Sequence, residues 1–182
     1  MLETLLNLIP SKKARNVAMT AGGMVALLGG RKLVGLGLFA KGAHGLEQCW
    51  REEHPDFQGG LAERWQRAIK FYEATHSDPM NRKLHIVGIP IILGGTAGLL
   101  IFRPYRPLWF ISAGAFAGGW ALNIVGHAVF EKNAPAFADD PLSFLAGPIW
   151  DWQQVKGKRQ RAPAASDEGE VVNMPPAESQ VV

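Results

Sequence analysis

Cysteine is almost absent from this chain, with Cys49 the only one in 182 residues. A single cysteine excludes an internal disulfide and any metal cluster built on thiolates. Basic residues are missing from the first ten positions, MLETLLNLIP, where a cleavable signal peptide would carry them. We therefore expect no cleavage there, and the helical spacing of the apolar side chains predicts a short amphipathic segment on a membrane surface.

Acidic and basic side chains are absent from two long stretches. Between residues 84 and 102 only His85 is ionisable, and between residues 108 and 130 only His127 is. Each stretch has the roughly 20 apolar residues that a helix needs to cross a bilayer. The sequence therefore predicts an integral membrane protein with an all-α fold.

Two weaker, glycine-rich runs precede these stretches, at residues 17–30 and 33–49. We interpret them as a first transmembrane hairpin, with a pair of interfacial helices as the alternative. The predicted fold is a helical bundle of two antiparallel transmembrane hairpins with an interfacial amphipathic helix between them. Its parts are a membrane hairpin over 1–55, a core over 56–152 and a disordered tail over 153–182, where apolar surface is too scarce for folding.

The basic residues are unevenly distributed around the apolar runs. Most of them precede the first hairpin, separate the two hairpins or follow the last run, and only Arg31, Lys32, Arg103 and Arg106 occupy the opposite loops. The positive-inside rule then places both termini in the cytoplasm. A compact chain rich in glycine and alanine favours a bacterial inner membrane, or the endoplasmic reticulum in a eukaryote. No aromatic stacking pattern accompanies the charges, which argues against nucleic-acid binding.

The central segment, residues 56–76, has an amphipathic helical pattern. Its apolar face comprises Leu61, Trp65, Ile69 and Tyr72, whereas Arg64 is expected on another face. Within the later apolar runs, glycines recur four residues apart. Gly94 with Gly98 and Gly114 with Gly118 predict surfaces for close helix approach.

Three histidines are expected to converge at the cytoplasmic end of the second hairpin. An antiparallel hairpin returns to the side where it began, so the end of its second helix lies beside the start of its first. His127 and Glu131 share one helix face, Asn81 and His85 share another, and His76 arrives from the amphipathic helix.

Imidazoles and a carboxylate are suitable ligands for divalent iron or zinc. We predict His76, His85, His127 and Glu131 as ligands, although Glu131 is equally explained as an interfacial charge. Residues predicted to orient the rings are Tyr72, Asp78, Asn81 and Asn123. Each histidine alone is better explained by capping or hydrogen bonding, but three together favour a metal site.

The segments FYEATHSDPMNRKLHIVGIP and GWALNIVGHAVFEKNAPAFADDPLSFLAGPIW resemble the MPO-type 2-hydroxy fatty acid dioxygenase family over residues 65–152. The resemblance implies an iron(II)-dependent, dioxygen-using removal of one carbon from a 2-hydroxy fatty acid, with His76, His85 and His127 as catalytic iron ligands. Arg82 or Lys83 would pair with the substrate carboxylate. Asn123 departs from the family's WxxQxxGH pattern, which has glutamine there.

Two other functions remain open from the sequence. Zinc in the same site would make a lipid hydrolase, in which metal-bound water is the nucleophile. A non-catalytic membrane scaffold would use the glycine faces to bind a partner and would need the histidines only for hydrogen bonds. The expected partners are thus a 2-hydroxy fatty acid, dioxygen and the lipid bilayer, and the sequence leaves a homo-oligomer open.

Overall fold

The computed structural model describes residues 9, 11–133, 137 and 139–155 of the chain. Within them lie six α-helices: α1 Lys12–Leu28, α2 Lys32–Glu53, α3 Leu61–Thr75, α4 Pro79–Ile101, α5 Pro107–Val125 and α6 Ser143–Val155. A π-helical turn, Gly126–Glu131, continues α5 directly. These residues contain no strand, which confirms the all-α class. The predicted N-terminal amphipathic segment and nearly all of the predicted tail lie outside the described residues.

Two helices are long and apolar enough to cross a membrane. They are α4, Pro79–Ile101, and the continuous helix Pro107–Glu131 that joins α5 to the π-helical turn. Elsewhere in the described part of the chain no helix meets that criterion. With only 17 residues, α1 is short, and α2 carries Lys41 and Glu47. Membrane crossing by residues 1–55 therefore stays a prediction.

Glycines bring α1 and α2 into close contact. A Cβ atom added to Gly23 would lie 2.6 Å from the Phe39 backbone nitrogen, and one added to Gly42 would collide with the Thr20 hydroxyl. Only glycine allows helix backbones to approach this closely. Because the contact partner moves from Phe39 to Gly42 as α1 is followed back from Gly23 to Thr20, the helices run in opposite directions.

The contact between α4 and α5 also depends on glycines, but mostly on others than those predicted. A Cβ atom on Gly95 would lie 2.5 Å from the Phe116 nitrogen, and one on Gly119 would lie 2.8 Å from the Gly88 oxygen. Of the predicted set, only Gly98 lies at this interface. The other three have open space beside them: Gly94, Gly114 and Gly118. A four-residue spacing fixes the period of a surface, whereas which surface faces the neighbour depends on tertiary packing.

The buried face of the amphipathic helix shares Tyr72 with the predicted face but is rotated toward Arg64 and Ala68. It begins at Leu61, which is 82% exposed, and its buried residues are Arg64, Ala68 and Tyr72. The expectation that Arg64 would point outward is wrong, because this side chain is fully buried. Its charge is compensated by carboxylates from other parts of the chain, which the helical pattern of one segment does not reveal.

Arg64 is the centre of a buried ion-pair cluster. Its Nη1 and Nη2 donate to Asp140 at 2.9 and 2.7 Å, its Nε and Nη2 donate to Glu47 at 3.1 and 2.9 Å, and its guanidinium lies 3.6 Å above the Trp50 ring. Burial lowers the pKa of Arg64, but its hydrogen bonds to Asp140 and Glu47 outweigh burial and raise that pKa overall. We call Arg64, Glu47, Asp140 and Trp50 the arginine cluster. It joins α2 and α3 to the segment before α6.

At the opposite end, the turn between α1 and α2 lies against the turn between α4 and α5. Lys32 Nζ donates to the carbonyl oxygens of Leu100 and Phe102 at 2.7 and 2.8 Å. The Tyr105 hydroxyl donates to the Gly29 oxygen at 2.8 Å. The helix pair of residues 12–53 therefore contacts the turn between α4 and α5 at this end, and at the other end the arginine cluster joins it to α3 and to the segment before α6.

Candidate metal centre

Three histidines from three elements meet near the start of α4. His76 follows the last residue of α3, His85 lies in α4, and His127 lies in the π-helical turn. The ring centroids are 4.7, 4.7 and 4.9 Å apart, and each pair of rings is close to perpendicular. All three side chains are buried. We call these residues the histidine cluster.

Hydrogen bonds fix which ring nitrogen carries the proton. Each Nδ1 lies against an oxygen that can only accept, at 2.8 Å in His76, 3.0 Å in His85 and 2.7 Å in His127. The acceptors are Tyr72 O, Asn81 O and Asn133 Oδ1, in that order. In the neutral form of each ring Nδ1 is therefore the protonated nitrogen, which leaves the lone pair on Nε2.

The donor set fits a divalent metal ion. One ligand atom from each of His76, His85 and His127 can be chosen so that all three lie within 4.8 Å of one another. Burial, reinforced by the neighbouring His85, lowers the pKa of His76 to about 3, so this imidazole is neutral as metal binding requires. Three imidazoles with fixed tautomers leave further coordination positions for other ligands.

Glu131 is not in this group of ligand atoms, and its ligand role stays a prediction. Its two carboxylate oxygens accept hydrogen bonds from the Ser77 nitrogen and hydroxyl, both at 2.8 Å, from the Asp78 nitrogen at 2.9 Å and from Asn81 Nδ2 at 3.0 Å. Those donors belong to the link between α3 and α4. Glu131 thus ties that link to the π-helical turn, and so holds together the two segments that carry His76 and His127.

The π-helical turn changes the helical spacing on which the Glu131 prediction was based. The prediction placed Asn123, His127 and Glu131 on one stripe by assuming α-helical spacing throughout. A π-helix bonds residue i to i+5, so a stripe extrapolated at α-helical spacing fails beyond Val125. The turn ends at Lys132, whose φ of 57° is left-handed, and this reversal brings Asn133 back to His127.

Asn133 was missed by the sequence reasoning. Its Nδ2 donates to the Thr75 carbonyl at 3.1 Å, which orients the amide so that Oδ1 faces the His127 ring. One side chain thereby connects the end of α3 with the π-helical turn. An α-helix places residues i and i+6 on different faces, so the sequence offers no signal for this contact.

An apolar cavity of about 130 Å³ opens beside the histidine cluster. Besides the three histidines it is lined by Tyr72, Ile89, Ile92, Leu93, Trp120, Asn123, Ile124, Phe137, Ser143, Phe144, Leu145 and Pro148. Within the described residues, Trp120 Nε1 and Asn123 Oδ1 are buried without a hydrogen-bond partner. The cavity therefore combines an apolar wall with the candidate metal ligands, and two of its lining residues carry a buried polar atom that has no partner.

Comparison with known proteins identifies the family. The family described as 2-hydroxy-palmitic acid dioxygenase Mpo1-like matches residues 62–159, which is more than half of the chain and contains the whole histidine cluster. The chain belongs to the Mpo1-like family. No curated protein matches the chain, and no solved structure does. The match covers α3 to α6 and leaves α1 and α2 outside.

In this Mpo1-like chain, Tyr72 supports His76 in two ways. Its ring stacks on the imidazole with centroids 3.8 Å apart, and its carbonyl accepts the Nδ1 proton. The phenol donates to Asp151 Oδ2 at 3.0 Å. Burial raises the pKa of the Asp151 carboxyl to about 6 and the pKa of the Tyr72 phenol above its ordinary value. Asp151 was not predicted, although an acidic residue inside the apolar sequence PIWDW was a signal.

The other predicted residues lie at varying distances from the cluster. Asp78 caps α4 by accepting from the Met80 and Asn81 nitrogens at 2.7 and 3.0 Å. Asn123 lines the cavity. Arg82 and Lys83 do not line it. The Arg82 guanidinium lies 4.4 Å above the Trp150 ring, and Lys83 is exposed.

Proposed function

We propose that this chain is an integral membrane iron(II) dioxygenase that shortens 2-hydroxy fatty acids by one carbon. The observation that carries the proposal is the histidine cluster, with three protonated Nδ1 atoms and three free Nε2 lone pairs beside an apolar cavity. Membership of the Mpo1-like family supports the reaction. The substrates would be dioxygen and an acid whose chain suits an apolar wall.

The membrane location is supported by the outward-facing apolar surface. Only 39% of the apolar window in α4 is buried, and only 28% of that in Pro107–Glu131. The core helix of a soluble protein would be mostly buried, so these surfaces need another apolar medium. We propose that α4 and α5 form a transmembrane hairpin in a bacterial inner membrane, or the endoplasmic reticulum in a eukaryote, with both termini in the cytoplasm.

His76, His85 and His127 would hold the iron ion. When bound, the iron would supply dioxygen binding and the redox chemistry of the reaction. The chain itself orients two of the imidazoles, because the backbone oxygens of Tyr72 and Asn81 accept from the Nδ1 atoms of His76 and His85, and burial favours the neutral form of His76. Burial of the cluster excludes bulk water from the reacting atoms.

The acyl chain would lie against the apolar cavity wall, and the oxygen atoms of the head group would meet Trp120 Nε1 and Asn123 at its polar points. A buried polar atom without a partner is costly, so a ligand that satisfies it gains affinity. Arg82 and Lys83 remain proposals for carboxylate binding. Their side chains would have to leave their present positions to reach the cavity.

The proposal is tested by anaerobic purification in detergent, metal analysis, and oxygen uptake with 2-hydroxypalmitate followed by detection of pentadecanoic acid. Paired variants are His85→Ala, which removes a ligand, and His54→Ala, whose ring contacts Trp50 outside the cluster. We expect about one iron per chain and turnover in the wild type and in His54→Ala, with both lost in His85→Ala. Bound zinc with ester hydrolysis would replace the proposal by a hydrolase. A metal-free, inert protein that stays folded without His85 would favour the scaffold.

A further inference from the structure

The cavity beside the histidine cluster has one buried wall and one exposed rim. Ile89 and Ile92 form part of the wall and are only 9% and 7% exposed. Leu93, Ile124 and Leu145 also line the cavity, yet they are 54%, 51% and 54% exposed. We call these three residues the mouth, because at this rim the cavity reaches the protein surface.

The mouth lies within the predicted membrane thickness. Leu93 follows His85 by eight residues on α4, which is about 12 Å along a helix axis. Leu93 and Ile124 belong to the two candidate membrane-spanning helices, and all three mouth side chains are apolar. A rim of this composition at this depth faces lipid tails, whereas an entrance from water would carry polar side chains.

The cavity is too small for a whole long-chain acid. An apolar cavity of about 150 Å³ holds one benzene molecule, which has six carbon atoms. This cavity, at about 130 Å³, has room for a similar number. A head group bound at the histidine cluster would therefore fill it with the first few carbons, and the remaining chain must continue through the mouth.

We infer that the lipid acid enters sideways from the bilayer through the mouth, and that its chain beyond about the sixth carbon stays among the lipid tails during turnover. The inference rests on the proposed function, since it takes the histidine cluster as the place of the head group. It extends that function by naming the route of entry and the part of the substrate that the protein recognises.

One consequence concerns chain length. Carbons that remain in lipid contribute nearly equally to the free and bound states, so they should not change the specificity of the enzyme. In nanodiscs, we expect the kcat/KM for bilayer-inserted 2-hydroxy acids of 14 to 22 carbons to vary by less than about threefold. A sharp optimum at one length would overturn the inference, because it would require a protein pocket for the chain end.

The direct test uses photo-crosslinking in nanodiscs with a 16-carbon 2-hydroxy acid that carries a diazirine at carbon 10. The matched pair is Leu93→Trp and Val87→Trp, since both native side chains are on α4 and 54% exposed, but Val87 does not line the cavity. We expect wild-type label on residues at the mouth. That label should fall at least about tenfold in Leu93→Trp and less than about twofold in Val87→Trp.

Leu145→Trp narrows the mouth from α6 and should reproduce the loss, which guards against a folding defect peculiar to Leu93→Trp. Metal content should be unchanged in all three variants. Equal labelling in Leu93→Trp and Val87→Trp, or label spread over lipid-facing residues such as Phe110 and Ile111, would overturn the inference. Crosslinking does not require turnover. Label at the mouth without oxygen uptake would therefore uphold entry through the mouth while refuting the dioxygenase. Oxygen uptake that is retained in both Leu93→Trp and Leu145→Trp would support the dioxygenase while refuting entry through the mouth.

Discussion

The arginine cluster and the histidine cluster are both buried in the same bundle, and they differ in how far their polar atoms are satisfied. Every nitrogen of the Arg64 guanidinium donates to a carboxylate, with Glu47 and Asp140 sharing them. In the histidine cluster only the Nδ1 atoms have oxygen acceptors, and the Nε2 lone pairs are left for a ligand. A saturated cluster holds helices together, whereas an unsaturated one beside a cavity provides a binding site.

The largest expected effect separates these two roles. His85→Ala should remove metal and reduce oxygen uptake by at least about 100-fold, because one of three ligands is lost. Folding should survive, since the imidazole is replaced by a smaller apolar side chain. Metal analysis and thermal unfolding of the apoprotein in detergent check both parts. A variant that keeps its metal would contradict the assignment of His85.

Arg64→Ala should have the opposite effect, lowering stability rather than metal content. Removing the guanidinium leaves Glu47 and Asp140 without their shared partner, and breaking a buried ion pair in this way costs about 3–5 kcal/mol. Lys70→Ala on the same helix, where the side chain is exposed, should cost less than about 0.5 kcal/mol. Equilibrium unfolding in mixed detergents measures the difference. Equal stability of the two variants would mean that the arginine cluster is not what fastens α2 to α3.

Asn133→Ala should weaken the metal site without abolishing it. The His127 ring loses the acceptor that fixes its tautomer, and such outer partners change metal affinity by about 10–100-fold. Asn133→Asp keeps an acceptor at that position and should retain more of the affinity. Competition with a metal chelator gives the dissociation constants. Identical constants for the wild type and Asn133→Ala would show that the contact is irrelevant to metal binding.

Glu131→Gln sharpens the comparison further, because it distinguishes a metal ligand from a residue that only ties the link between α3 and α4 to the π-helical turn. If Glu131 acts only on Ser77, Asp78 and Asn81, the amide should lower stability by about 1–3 kcal/mol and leave the metal content unchanged. Loss of metal at unchanged stability would support the predicted ligand role. Thermal unfolding with parallel metal analysis gives both readouts on one sample.

Much of the histidine cluster could be predicted from connectivity. A hairpin must return to the side where it began, and this single rule brought His85 and His127 together. His76 followed from the apolar stripe of α3. The contributions of Asn133 and Glu131 could not be predicted, because they depend on a π-helical turn that no hydrophobic period reveals. Backbone hydrogen-bond pattern, rather than residue type, decides what those two side chains reach.

The buried Arg64 illustrates a different limit. Single-segment patterning treats a charge as a solvent-facing residue, which is correct unless partners from elsewhere compensate it. Here one partner is 17 residues away in sequence and the other is 76 residues away. The predicted glycine contacts were mostly wrong for a similar reason, since the spacing of glycines within one helix does not specify which face meets the neighbouring helix. The fold class and the site histidines could be predicted because they follow from local patterns or from chain connectivity. The contacts of Arg64 and of the glycines could not, because they depend on tertiary packing.

The separation of Arg64 and Asp140 in sequence also determines when the arginine cluster can form during synthesis. During synthesis at about 5–20 residues per second, the 76 residues between them take roughly 4 to 15 s to appear. Throughout that interval Glu47 is the only carboxylate of the pair that has been made. The arginine therefore cannot be buried with both partners until the ribosome has passed both candidate membrane-spanning helices, and α3 docks fully only after His85 and His127 are already in the nascent chain.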